Sequence, residues 1–87
     1  MALGFPNQSR SYDAQHHRIR FWGHDYALEV PFLLEEDVIF MLYPRTPHGE
    51  AGILAAFDAA WDRVTMAARK AFGSKRKPSY ILGLSDF

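Results

Sequence analysis

Two short segments in the first third of the chain alternate between apolar and polar residues. In residues 16–22 one side of an extended strand would carry His17, Ile19 and Phe21. The other side would carry His16, Arg18, Arg20 and Trp22. Residues 27–32 alternate in the same way, with Leu28, Val30 and Phe32 on one side. A period of two is typical of a strand with one buried face, so the pattern predicts two strands.

The residues between these strands, Gly23-His24-Asp25, predict a turn that joins them as a hairpin. With His24 and Asp25 at the tip, one register places apolar residues opposite each other and a basic residue opposite an acidic one. The predicted pairs are Phe21 with Leu28, Ile19 with Val30, and Arg20 with Glu29. Pro31 has no backbone N–H, so the second strand is expected to be irregular or to end near it.

Two further segments carry the period of an α-helix. Residues 35–42 predict a short helix, because acidic residues in the first turn suit the helix dipole and Tyr43-Pro44 ends it. The expected buried face of this helix holds Leu34, Val38, Met41 and Leu42. Residues 50–72 predict one long helix followed by Gly73 as its terminating residue. The apolar stripe of the long helix comprises Leu54, Phe57, Trp61, Val64, Ala68 and Ala71.

The remaining segments complete an α+β fold class. Residues 11–12 predict a short strand, Asp13 predicts a turn, and residues 1–9 are expected to form an N-terminal extended arm, at least partly ordered. The final predicted strand, residues 80–84, would turn Tyr80, Leu82 and Leu84 towards the core. The expected architecture is a single domain, residues 1–87, with the order β-β-β-α-α-β. It is a two-layer sandwich in which one short and one long helix cover an antiparallel sheet.

Composition narrows the class of protein without identifying it. Hydrophobic residues make up 48% of the chain, which is enough for a packed core. The chain has no cysteine, which excludes disulfides and thiolate metal sites and fits a reducing cytoplasm. The longest apolar run, residues 51–57, is far shorter than the roughly twenty residues of a membrane span. The first residues lack the pattern of a secretory signal, so a cytoplasmic protein without membrane contact is expected.

Charge is balanced over the whole chain but segregated along it. The ten basic and ten acidic residues give a formal net charge of zero. Residues 1–24 carry a net charge of +2, residues 25–62 of −7 and residues 63–87 of +5. A neutral protein with this distribution can still present surface patches of one sign.

No motif for catalysis, cofactor binding or metal binding is present in the sequence. His16 and His17 are adjacent in a predicted strand and would face opposite sides, so they would not chelate one ion. The sequence has no Gly-x-Ser-x-Gly elbow and no phosphate-binding loop. We therefore expect no cofactor, no metal and no enzymatic activity, although an acid–base pair that forms only in space stays open.

Several short motifs follow one another along nearly the whole chain. They are Phe5-Pro6-Asn7, Ser11-Tyr12-Asp13, residues 19–25 (IRFWGHD), residues 28–32 (LEVPF), Phe57-Asp58, Ala67-Ala68-Arg69 and the final Asp86-Phe87. In this order they resemble a bacterial family of unknown function, the one numbered 1488. The resemblance implies a small α+β fold with an antiparallel sheet and two helices, and no established activity, substrate, cofactor or catalytic residue. Members of that family often have Ser or Thr at the entry of the first helix, where this chain has Leu33-Leu34.

Two groups of residues form the candidate interaction surface. Arg18, Arg20 and Trp22 project together from one predicted strand, an arrangement that can stack and hold single-stranded nucleic acid. Five basic residues fall within nine positions and could contact phosphates, namely Arg69, Lys70, Lys75, Arg76 and Lys77. Both groups also have ordinary explanations: cross-strand pairing, packing of the tryptophan against the chain or a second subunit, and a basic helix end.

The leading hypothesis is therefore a non-enzymatic accessory domain that acts through a protein partner or through self-association as a homodimer. The alternative is a nucleic-acid-associated regulator that uses the basic turn (residues 69–77) and the face carrying Arg18, Arg20 and Trp22. The sequence by itself leaves both open.

Overall fold

The computed structural model describes residues 3–6 and 8–87, and these residues form an α+β fold. The strands are β1 (Leu3–Gly4), β2 (Arg10–Asp13), β3 (Arg18–Asp25), β4 (Leu28–Glu35) and β5 (Tyr80–Leu82). The helices are α1 (Glu36–Leu42), α2 (Glu50–Ala59) and α3 (Trp61–Ser74), and a 3₁₀ turn, Leu84–Asp86, follows β5. The fold class expected from the sequence is confirmed, with one strand and one helix more than the predicted order.

Strand β3 is the centre of the sheet. It pairs antiparallel along its whole length with β4, and its other edge is shared by β1 and β2. Strand β5 joins the outer edge of β4 in parallel, with Phe32 opposite Tyr80. The expected antiparallel sheet is therefore mostly correct, and the exception has a topological cause. The chain leaves β4, crosses the sheet through three helices and returns in the same direction, as parallel pairing requires.

The register of the β3–β4 hairpin differs from the predicted one. Its tip is Tyr26-Ala27, where Tyr26 adopts a left-handed φ of 58°, and Arg18 lies opposite Glu35. The predicted partners of Phe21 and Arg20 were wrong, because Phe21 faces Phe32 and Arg20 faces Leu33. The observed register stacks the rings of Phe21 and Phe32 at 5.2 Å between centroids, and both side chains are fully buried. The burial of distant aromatic residues therefore sets the strand register, and this register differs from the one that the sequence near the turn predicted.

Strand boundaries move with this register. The predicted strand at residues 16–22 begins only at Arg18, and β4 continues through Pro31 to Glu35 instead of ending near the proline. Pro31 lies just outside the ladder with β5, which begins at the next residue of β4. Helix α1 accordingly starts at Glu36 rather than at residue 35.

The buried face of α1 also differs from the expected one. Its buried residues are Val38 and Ile39, whereas Met41, predicted to be in the core, is 45% exposed. The short helix meets the sheet and α2 on a face rotated from the one predicted, because β4 holds Leu34 in the sheet rather than in the helix.

The predicted long helix is two helices that meet at Ala60. This alanine, with φ −92° and ψ 7°, is 1% exposed, and its N–H donates to the carbonyls of both Ala56 and Phe57. Across this break the two helices stay in contact through aromatic rings. Phe57 of α2 is fully buried, and the ring of Trp61 of α3 packs edge-on against the ring of Phe57 at 5.6 Å. Gly73 was wrongly predicted to end the helix, since α3 continues to Ser74 and Lys75 is the first extended residue.

The N-terminal arm is part of the sheet. Leu3 pairs with Asp25 and is 7% exposed, and Phe5 packs its ring against Phe21 at 6.1 Å. Gly23 makes this possible, because a Cβ there would lie 2.9 Å from a methyl carbon of Leu3. The part of the predicted arm at residues 1, 2 and 7 lies outside the described residues. At the other end, the final strand stops at Leu82, and Leu84 is 52% exposed rather than in the core.

The core lies between one face of the sheet and the helices. Its fully buried members include Ile19, Phe21 and Phe32 from the sheet and Phe57 and Val64 from α2 and α3. Residues that alternate with these along the strands point to the other side, which we call the open face. No helix of the described residues is long and apolar enough to cross a membrane.

Candidate interaction surfaces

The open face is built by the alternation of β3. Because Ile19 and Phe21 turn towards the helices, Arg18, Arg20 and Trp22 turn away from them, as the sequence predicted. Trp22 is half-buried and Arg20 is exposed. The three candidate side chains of β3 therefore share one surface, and that surface is the side of the sheet opposite the helical layer.

Cross-strand neighbours turn the centre of the open face into an apolar strip. Trp22 lies opposite Pro31, Leu33 lies opposite Arg20, and Ile81 continues the row on β5. Ile81 is 54% exposed, a large fraction for an isoleucine in a sheet. The strip, which we define as Trp22, Pro31, Leu33 and Ile81, lies beside a concavity of about 310 Å³. Sequence reasoning found Trp22 but missed the other three, because their proximity depends on the register.

The two arginines of the open face have different partners. The Nε of Arg18 donates to Oε2 of Glu35 at 2.7 Å, so this pair is neutralised within the sheet. The guanidinium carbon of Arg20 lies 5.9 Å from the ring centroid of Trp22, within the range of a cation–π contact. Glu29, the predicted partner of Arg20, instead lies opposite His24 at the far end of the hairpin. The open face therefore has an arginine end and a Glu29 end.

Two of the five basic residues of the basic turn are engaged on the helical side of the molecule. The Nε of Arg69 donates to the backbone carbonyl of Leu3 at 3.2 Å, and its guanidinium lies over the ring of Phe5 at 5.1 Å. The guanidinium of Arg76 lies 4.0 Å from the ring centroid of Phe72 and contacts Asp25 at 3.5 Å. Both arginines hold parts of the fold together, one the N-terminal arm and the other the tip of the hairpin.

The three lysines of the basic turn converge instead on a second concavity. Lys70 of α3 and Lys75 and Lys77 of the following loop line a hollow of about 470 Å³ beside β5. The hydroxyl of Tyr80 fixes the loop, since it donates to the carbonyl of Lys75 at 2.7 Å and accepts from the N–H of Lys77 at 2.9 Å. The lysine concavity, as we call it, also contains one carboxylate, that of Asp86.

The structure thus separates the two groups that the sequence had placed together as one candidate surface. Arg18, Arg20 and Trp22 lie on the open face, and the lysine concavity lies where α3 meets the outer edge of β5. The only shared boundary in the described residues is β5 itself, whose Ile81 lines the concavity and also ends the apolar strip. A single flat ligand would not cover both groups.

A further concavity, of about 670 Å³, was not predicted. It lies between α2 and the loop after α1, and small residues of α2 (Gly52, Ala55, Ala56 and Ala59) line it. The sequence signal was their spacing of three and four residues, which is the helical period. Its lining is mostly apolar, and the one buried hydroxyl there, that of Thr46, donates to the carbonyl of Tyr43. We see no convergent acid and base in this hollow.

Titratable groups with perturbed pKa values lie at the end of the sheet near α1. The hydrogen bond from Tyr12 to Glu36, 2.5 Å long, raises the pKa of Tyr12 to about 12. A hydrogen bond to His16 lowers the pKa of Asp13, which also caps the turn after β2. Both shifts arise from local pairs. Among residues 3–6 and 8–87, no three His, Asp or Glu side chains are grouped to hold a metal ion.

These features define a small α+β domain whose helices cover one sheet face and leave the other open. The chain belongs to the DUF1488 family, described as a protein of unknown function, whose model matches residues 3–82. The family resemblance inferred from the ordered motifs is therefore confirmed. No curated protein and no solved structure matches the chain.

Proposed function

We propose that this chain is a non-enzymatic, cytoplasmic protein-interaction domain that pairs with a second copy of itself through the open face. The observation that carries the proposal is the layout of that face, in which Trp22 and Pro31 lie between the level of Arg20 and the level of Glu29. A cysteine-free chain suits a reducing compartment. The described lining of the 670 Å³ hollow beside α2 is mostly apolar and brings no acid and base together, which favours a role in binding over catalysis.

The layout is complementary to itself under two-fold symmetry. Along β3, Trp22 lies midway between Arg20 and His24, and Glu29 is level with His24 on the neighbouring strand. We consider a two-fold axis that lies in the contact plane, runs perpendicular to β3 and passes through Trp22. Rotation about this axis would place Arg20 of one copy at the same height along β3 as Glu29 of the second copy. The same operation would stack Trp22 and Pro31 on their own copies and would place Leu33 level with Glu29 of the second copy, which is an isologous contact.

The open face has roughly the area that such a dimer needs. Strand β3 has 8 residues, which extend about 26 Å at a rise near 3.3 Å per residue. Four strands side by side, near 4.8 Å apart, give a width of about 19 Å. Two such faces would bury at most about 1,000 Å² in total, because β5 has only 3 residues, and this is the lower limit for a specific interface. The expected dimer is therefore a reversible one.

Charge reversal gives the sharpest test, because Arg20 and Glu29 are exposed and their removal leaves the core intact. Sedimentation equilibrium of the wild type should show a dimer that weakens at high salt. Arg20→Glu and Glu29→Arg should each shift the protein to monomer, and the double variant should recover the dimer. Arg63→Glu on the exposed face of α3 is the matched control and should leave the dimer unchanged. A wild-type monomer at millimolar concentration, or a double variant without recovery, overturns the proposal.

The nucleic-acid alternative meets an obstacle in the arrangement of the basic groups. It would use both candidate groups together, whereas Arg69 and Arg76 contact Leu3 and Asp25 of the same chain. A titration of the protein into a fluorescently labelled oligothymidylate, followed by the anisotropy of the label and repeated with Trp22→Ser, tests it directly. Salt-dependent binding that the Trp22 variant loses would favour the alternative over the homodimer.

A further inference from the structure

The outer edge of β5 is a second surface, which adjoins the open face at Ile81. Strand β5 is the last in the order of the sheet, and no strand of the described residues pairs with its far side. Its side chains alternate between the core, occupied by Tyr80 and Leu82, and the open face, where Ile81 is exposed. An edge strand presents backbone N–H and C=O groups to which an extended chain can add.

The lysine concavity lies on the helix side of this edge. Lys70, Lys75 and Lys77 line it together with Ile81 and Ser85, so positive charge is concentrated next to the strand. Asp86 is the one acidic residue of the lining, and its Oδ2 accepts a hydrogen bond from the N–H of Gly83 at 2.8 Å. At the opposite edge of the sheet the acidic side chains are paired, because Asp58 forms a salt bridge with Arg10 and Glu36 accepts a hydrogen bond from Tyr12.

The position of these lysines is built into the fold. Tyr80 is 3% exposed, and its hydroxyl bonds the backbone of the loop at both Lys75 and Lys77. Lys75 and Lys77 therefore turn to the concavity, whereas Arg76 between them contacts Phe72 on another side. A loop held in this way loses little further entropy when a ligand binds, which favours affinity.

We propose that the β5 edge binds an extended acidic segment of a protein partner as an added strand. Alternate side chains of such a segment point to opposite faces of the sheet. Its carboxylates would contact Lys70, Lys75 and Lys77, and the residues between them would pack beside Ile81. The chemistry that fits is therefore a segment in which acidic and apolar residues alternate.

A polypeptide fits this edge better than a nucleic acid does. Only a peptide backbone supplies the ladder of N–H and C=O groups that a strand edge can pair with. The site shares Ile81 with the open face but does not include Arg20, so a variant that loses the dimer through Arg20→Glu should keep it.

The probe is a capped peptide of alternating Glu and Val, titrated into the ¹⁵N-labelled full chain. The amide signals of residues 80–82 and of Lys75 and Lys77 should shift, and binding should weaken as salt rises. The triple variant Lys70→Glu, Lys75→Glu, Lys77→Glu should bind about ten- to a hundredfold more weakly, since each exposed pair contributes modestly. Arg45→Glu, a reversal of one charge on a distant exposed loop, is the control and should bind as the wild type does.

Two further probes keep the proposal falsifiable even where the triple variant folds poorly. The same peptide N-methylated at alternate residues keeps its charge but loses the backbone ladder, so it should not bind. Equal binding of the methylated peptide would overturn strand addition. Shifts at residues 80–82 with oligothymidylate and none with the peptide would overturn the choice of a protein segment.

Discussion

The hydroxyl of Tyr12 on β2 donates to a carboxylate oxygen of Glu36 in the first turn of α1, at 2.5 Å. This bond joins a short edge strand to the helix that follows the hairpin. It also stabilises the protonated phenol in the folded state, which raises the pKa of Tyr12 from 10.0 to about 12. The bond therefore links the stability of the fold to alkaline pH.

Tyr12→Phe should lower the free energy of unfolding by about 1 kcal/mol at neutral pH, because it removes this hydrogen bond. The raised pKa belongs to the folded state, so the contribution is complete below about pH 10 and is lost as pH rises towards 12. Urea unfolding of both proteins from pH 7 to 11 should show the difference shrinking at the alkaline end. A constant difference would contradict the assigned bond.

Two glycine-to-alanine changes should act in opposite directions. A Cβ on Gly52 would lie 2.6 Å from the backbone oxygen of Pro47, so Gly52→Ala should destabilise the protein by about 1–3 kcal/mol. Gly73 is exposed inside α3, so Gly73→Ala should instead stabilise it by up to about 1 kcal/mol. Thermal unfolding measures both. A loss of stability in the Gly73 variant would support a helix that ends at this glycine.

Phe21→Ala should be among the most destabilising core substitutions. The side chain is fully buried, and its ring lies 5.2 Å from that of Phe32 and 5.3 Å from that of Phe57. Truncation should lower the free energy of unfolding by about 3–5 kcal/mol. Arg20→Ala, one position earlier on the open face, is the matched control and should change the monomer's stability by less than about 0.5 kcal/mol. Similar losses in the two variants would contradict the assignment of the faces.

Tyr80→Phe tests how the basic turn is held. The hydroxyl bonds the carbonyl of Lys75 and the N–H of Lys77, and both partners lie in an exposed loop where water can replace it. The expected loss of stability is therefore modest, about 1 kcal/mol. The more specific readout is faster hydrogen exchange at the Lys77 amide, with exchange in β3 unchanged at equal global stability. Unchanged exchange at Lys77 would show that the loop is held by other contacts.

Much of the fold follows from local pattern. Alternation predicted which residues of β3 face the core, and the helical stripe correctly brought Phe57, Val64 and Ala68 into it. The break at Ala60 left no local signal, because an Ala-Ala-Trp sequence is a good continuation of a helix. At this break the chain divides its contacts with the sheet, because α2 contacts β2 and α3 contacts β5. The N-terminal strand likewise has no local signal in the sequence, because Leu3 gains its strand pairing only through contact with β3.

For the candidate surfaces too, the sequence predicted one part and the tertiary structure decided the other. The sequence by itself determined that Arg18, Arg20 and Trp22 share a face, because side-chain direction in a strand has a period of two and a register shift of even length preserves it. Only the tertiary structure decided that Arg20 lies at one end of that face and Glu29 at the other. It also decided that three lysines converge beside β5 while Arg69 and Arg76 contact the fold itself. The direction in which a side chain points is a local property of the backbone. The partners that a side chain contacts depend on which distant strands and loops the burial of the core brings together.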